Sequence, residues 1–124
     1  MITLSPEEIV QYRSQLADND VALRALDMIE DCEGDLEDAA IALALQVGQE
    51  PDRTEQWLDG IAKRWRVFLC QVGIKEAIQA GTVGSAISLL AQETTIPAVL
   101  ATPVVLYVAK AGIEDFCKPL QEKL

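Results

Sequence analysis

The stretch AAIALAL, residues 39–45, is apolar in every direction, so it cannot lie on a surface with one wet face as an amphipathic helix does. It predicts a central, buried helix, opened by Asp35 as N-cap and closed at Gly48. A second apolar run, IPAVLATPVVLYVAKAG, extends from Ile96 to Gly112. Between Ile96 and Ala109 it offers about 14 mostly apolar residues, short of the ~20 that a membrane-spanning helix needs. Pro97 and Pro103 divide it, so it reads as a second buried helix stopped at Gly112, with IEDFCKPLQEKL as a last short turn and fraying tail. VVLYV at 104–108 is β-prone, yet no segment alternates with the period of a strand.

Two buried helices need others to cover them, and the sequence supplies these. SPEE at 5–8 has a Ser N-cap, Pro at the first helical position and Glu at the capping-box position, opening a helix that runs to about Ala17. Asp20 is expected to cap a second, with Val21, Leu23, Leu26 and Ile29 at near-helical spacing up to Gly34. Asp52 and Glu55 have capping-box spacing for a fourth helix over 54–72, striped by Leu58, Ile61, Trp65, Phe68 and Val72. Gly73 punctuates it, IKEAIQAG gives a short fifth, and Thr82 is expected to cap a sixth with Val83, Ala86, Ile87 and Leu90 inward. The reading is all-α: one domain, 1–124, in a single compact bundle of six to eight helices with two buried central helices.

Chemistry is scarce. The chain has no histidine, which removes the usual general base and the commonest transition-metal ligand, so a non-enzyme with no catalytic residues, no metal and no cofactor is expected. Cys32, Cys70 and Cys117 stand far apart in an odd count, which argues against a disulfide framework and for a reducing, cytoplasmic setting. MITLSPEEIV has neither the basic start nor the apolar core of a secretory signal. A net charge of −10 repels phosphate backbones and anionic bilayers, so neither nucleic acid nor membrane is an expected partner.

The exception is DMIEDCEGDLED, with carboxylates at Asp27, Glu30, Asp31, Glu33, Asp35, Glu37 and Asp38. As a calcium loop it fails in register: counting from Asp31, Leu36 stands where glycine belongs and Ala42 where the closing glutamate belongs. Gly34 as C′ residue, Asp35 as N-cap, and Glu37 and Asp38 in a first helical turn account for half the run. Glu30, Asp31 and Glu33 fall in a last turn, where the helix dipole repels them, and such broken local rules tend to mark function. Three readings stand: a solvated corner, a docking surface for a basic partner, and a weak divalent-cation site.

Three smaller features complete the reading. In KRWR, 63–66, Trp65 centres the apolar stripe while Lys63 and Arg66 face away, which disfavours base stacking, and Asp59 with Lys63 forms an i, i+4 pair. Arg64 beside Trp57 at the stripe's edge is a candidate partner anchor. Cys70, one turn from Lys63 and Arg66, is either a small buried hydrophobe or a reactive thiol; GTVGS lacks the lysine of a phosphate loop.

SPEEIVQYRSQLADN, DMIEDCEGDLEDAAIALALQ and RTEQWLDGIAKRWRVFLCQ resemble a small, uncharacterised family of helical cyanobacterial proteins, over most of the chain. The family brings no activity, cofactor or site residue to carry over; the resemblance implies a bacterial cytoplasmic protein. The leading expectation is a non-enzymatic interaction or regulatory module that presents its acidic surface to a protein partner with a basic surface, or to itself. The competing expectations are a binder of a small apolar ligand between the two buried helices, and a cysteine-based redox protein.

Overall fold

Ser5 opens the first helix as its surroundings dictate: its hydroxyl accepts from the Glu8 N–H, and the Glu8 carboxylate accepts from the Ser5 N–H. The computed structural model describes residues 2–51 and 56–121. Among them it forms α1 (Pro6–Gln15), α2 (Asp20–Asp31), α3 (Leu36–Gln46), α4 (Trp57–Arg64), α5 (Arg66–Leu69), α6 (Val72–Gln79), α7 (Val83–Glu93), α8 (Ala98–Ala111) and α9 (Ile113–Gln121). The chain is all-helical there, with one more helix than the upper bound of six to eight.

Two departures explain the count. The expected fourth helix breaks at Trp65, whose N–H turns back to the Ala62 carbonyl in a tight three-residue bond, and again before Val72. Periodicity misses such a break because spacings of three and four survive it. The stripe holds at Leu58, which is buried, and then sits one residue over: Ala62 and Leu69 are buried, Ile61, Trp65 and Phe68 are half-buried, and Val72 is 73% exposed. The second departure is α9, a true helix where a short turn was expected. The capping box of Asp52 and Glu55 lies outside the described residues.

Capping is partly long-range. Asn19, not Asp20, caps α2, its side-chain oxygen accepting from the Ala22 N–H at 3.0 Å and leaving Asp20 in the first turn, where the dipole favours it. Thr82 does not cap α7: its hydroxyl donates back to the Ala77 carbonyl. Gln15 of α1 does the work, accepting from the Val83 N–H at 3.2 Å and donating to the Gly81 carbonyl at 2.8 Å.

The core gathers around α8, which packs on α2, α3, α4, α7 and α9. Its residues Leu100 to Leu106, and Val108, are all buried. Pro103 sits inside it rather than dividing it; burial on every side offsets the ~3 kcal/mol that an interior proline costs a helix. Only α8 is central. α3 buries Leu36, Ala39, Ala40, Leu43 and Ala44, but Leu45 is 51% exposed, so its apolar circumference exceeds what the bundle covers. Among the described residues no helix is long and apolar enough to cross a membrane.

Cys70, at the end of α5, is joined to Cys117 of α9 in a disulfide, with Cα atoms 5.8 Å apart. The expectation against disulfides is thereby corrected for this pair, which 47 positions of sequence separate and only the fold brings together. Cys70 carries no free thiol in this state, and the ground for expecting a reducing compartment, a set of unpaired cysteines, is gone. Nearby, the Arg66 guanidinium lies over the Phe116 ring at 4.8 Å, so Arg66 packs on α9 rather than facing solvent alone.

Candidate functional site

The acidic run forms the junction of α2 with α3, built on two consecutive left-handed residues. Glu33 has φ 57° and Gly34 φ 87°. With Cys32 as C-cap, the Gly34 N–H reaches the Ile29 carbonyl at 2.8 Å and the Glu33 N–H the Glu30 carbonyl at 2.9 Å, the paired bonds of a Schellman ending. The C′ residue is thus Glu33 rather than Gly34. Gly34 has a different duty. The N-terminal segment clips onto the junction, the Leu4 N–H donating to the Gly34 carbonyl at 2.9 Å and the Leu36 N–H to the Ile2 carbonyl at 3.3 Å. A Cβ on Gly34 would stand 2.2 Å from the Leu4 carbonyl oxygen, so nothing larger fits.

Four of the seven carboxylates have partners in their own chain. Asp27 meets the Arg13 guanidinium at 2.8 Å and Glu30 meets it at 3.6 Å, an α1–α2 tie. Asp35, nearly buried, accepts from the Asp38 N–H at 3.1 Å and caps α3 as expected. Glu37 reaches across to α4, its two oxygens accepting from the Trp57 and Leu58 N–H groups at 2.8 and 2.9 Å. That helix has no side-chain cap at Gln56, so Glu37 supplies one from 20 residues away. Burial pushes the Glu37 carboxyl up, against the pull of those two N–H groups, and Asp35 and Asp38 push the same way. Asp31, Glu33 and Asp38 are exposed and form no ion pair among the described residues.

The corner therefore divides into a structural half and a wet half. Cys32 within it is an unpaired, half-buried thiol, and burial with the surrounding Asp38, Asp35 and Asp31 pushes its pKa up, which quietens it. No group of three or more His, Cys, Asp or Glu side chains is placed to hold a metal ion among the described residues. Beside the wet half runs a groove of about 290 Å³, floored by Leu4, Pro6 and Ile9 and rimmed by Glu30 and Glu33. Val10, 66% exposed, follows Pro6 by one helical turn on α1.

The other candidates lie apart. Trp57 is half-buried against the core and Arg64 is exposed, at opposite ends of α4, about 10 Å apart along its axis. Trp57 adjoins the corner through Glu37; Arg64 does not. Lys63 pairs with Asp59 at 2.7 Å, as the spacing predicts, and Tyr107 donates to the same carboxylate at 2.8 Å. At Asp59 burial pushes upward, but Lys63 and Tyr107 prevail and hold the carboxyl below its usual range.

One feature escaped the sequence reading altogether. At the other end of α2, a cleft of about 470 Å³ opens between the α1–α2 turn and α7, and a chamber of about 170 Å³ beneath it reaches Thr102 of α8. Thr102 is fully buried and its hydroxyl has no hydrogen-bond partner among the described residues. Its only local signal was a polar residue inside an otherwise apolar run. No known protein family matches the chain, nor does any curated protein or solved structure.

Proposed function

We propose that this chain is a non-enzymatic interaction module whose acidic corner receives a basic segment of a protein partner, with an apolar side chain of that segment seated between Leu4, Pro6 and Ile9. The observation that carries the reading is the groove: apolar floor, with Glu30 and Glu33 on its rim. A side chain entering it would bury apolar surface while its cationic neighbours met Glu33, Asp31 and Asp38, carboxylates with no partner of their own among the described residues. Glu30 contributes less, being shared with Arg13. Trp57 borders this surface; Arg64 lies outside it.

As proposed, the module takes no cofactor, and neither nucleic acid nor membrane is its partner. A bacterial, cytoplasmic setting belongs to the proposal through the family resemblance, and counting free thiols in protein taken directly from cells tests the compartment: one per chain means an oxidised Cys70–Cys117 pair.

Selection of displayed random peptides on the immobilised protein tests the docking. The expected winners carry one bulky apolar residue flanked by Lys or Arg, lose affinity as salt rises from about 50 to about 500 mM, and fail on the double variant Glu33→Gln, Asp31→Asn. Winners of no shared chemistry, or equal binding to that variant, would refute the reading. A second copy as the occupant would appear instead as a concentration-dependent rise in mass.

A further inference from the structure

We infer that the cleft at the N-terminal end of α2 is a small-molecule site, distinct from the acidic corner, for an amine whose apolar body ends in a hydroxyl. The outer cleft and inner chamber share Asn19, Val21, Ser88 and Gln92 as walls, so they form one path from solvent to α8. Thr102 of α8 lines its inner end. That side chain is fully buried, lines the chamber and has no partner among the described residues. A buried hydroxyl is normally paired, and one left without a partner on a side chain that lines a pocket is matched by a ligand group that can both donate and accept.

The walls choose the rest of the ligand. Val21, Ala22, Ile87 and Ala91 line the chamber with aliphatic surface, which suits a short methylene chain. Asp18 and Asp20 stand at the outer cleft, and among the described residues neither Lys nor Arg lines cleft or chamber. An anion would meet two carboxylates and no counter-charge, whereas an ammonium would meet both carboxylates with its chain pointing inward. Gln15 is unavailable to it: both ends of its amide already hold the α6–α7 turn. Asn19 is half available, since its oxygen caps α2 and its NH2 group is left over.

A matched set of probes separates the parts: aminopentanol, pentylamine lacking the hydroxyl, and pentanediol lacking the charge. Backbone amide spectra of the full chain should show saturable shifts at Ala22, Ser88, Ala91 and Ala98 with aminopentanol, and binding about fivefold weaker for each truncated probe. Thr102→Val keeps the side chain's shape and should bring aminopentanol down to the affinity of pentylamine while leaving pentylamine unchanged. Asp18→Asn with Asp20→Asn should weaken both amines and spare the diol. The inference is overturned by shifts that do not saturate up to about 20 mM, which would mean a chamber holding water alone. It is equally overturned if the diol binds best, or if Thr102→Val takes aminopentanol as tightly as the parent does.

Discussion

The two ends of α2 make opposite use of polar residues. Its C-terminal end is crowded with carboxylates, and more than half are already engaged: Asp27 and Glu30 with Arg13, Asp35 on α3, Glu37 on α4. Its N-terminal end is built from Asn19, Ser88 and Gln92, unremarkable in sequence, yet it adjoins a buried hydroxyl with no partner among the described residues. Charge density marked the first end, and a lone polar residue in an apolar run was all that marked the second. What separates a site from a joint is whether polar groups have partners, and partners are a property of the fold.

The sharpest way to break this contrast is at Gly34. Gly34→Ala should cost about 3 kcal/mol or more in chemical denaturation, since a Cβ meets the Leu4 carbonyl oxygen at 2.2 Å in a left-handed backbone. The matching change at the other end, Gly84→Ala in α7, meets only the Leu16 side chain at 3.7 Å and should stabilise by about 0.5–1 kcal/mol. Equal effects would mean that the clip of Ile2 to Leu4 on the junction is not formed in solution.

Next in size comes the reach of Glu37 to α4. Glu37→Ala should cost about 1–2 kcal/mol by orphaning two N–H groups of that helix. Its pH signature distinguishes it from an ordinary ion pair. A carboxyl held above its ordinary value of 4.5 favours the fold most below that pH, and this contribution declines as pH rises through the folded value. Glu8 is the reverse: the Lys110 ammonium, with help from Ser5, holds it below 4.5, so its contribution is present above that pH and fades as pH falls through the folded value. Between about pH 7 and 4.5, Glu37→Gln should therefore lose more stability on acidification than the parent chain. A flatter profile for the variant contradicts the assignment.

Thr102→Val should leave stability unchanged or raise it by up to about 1 kcal/mol, because an unpartnered buried hydroxyl is expensive and valine fills the same space. Loss of stability would mean that the hydroxyl has a partner. Smallest of all, Asp31→Asn and Asp38→Asn should each stay within about 0.5 kcal/mol of the parent, in keeping with wet carboxylates free to serve a partner.

Local chemistry was legible in the sequence and distant chemistry was not. The Ser5–Glu8 box, the Asp35 cap, the Asp59–Lys63 pair and the inward face Val83, Ala86, Ile87 and Leu90 all depend on neighbours within one or two turns, and all are in the structure. The fold's remaining devices act between elements far apart in the chain. Gln15 serves α7, Glu37 serves α4, Cys70 finds Cys117, and Pro103 is tolerated because the helices packed around α8 bury it. Periodicity holds no record of such encounters. The same limit governs the candidate site: the acidic run was visible, but which of its oxygens are engaged was decided by Arg13 and by the start of α4.

The clip at residues 2–4 has a practical corollary for anyone handling the protein. Because the backbone of Ile2 and Leu4 is stitched to residues 34–36, anything fused ahead of Ile2 is tethered beside the acidic corner. An affinity handle rich in basic or aromatic residues placed there would compete for the very surface under test. Purification by the opposite terminus, or removal of the handle before any binding measurement, keeps that surface open.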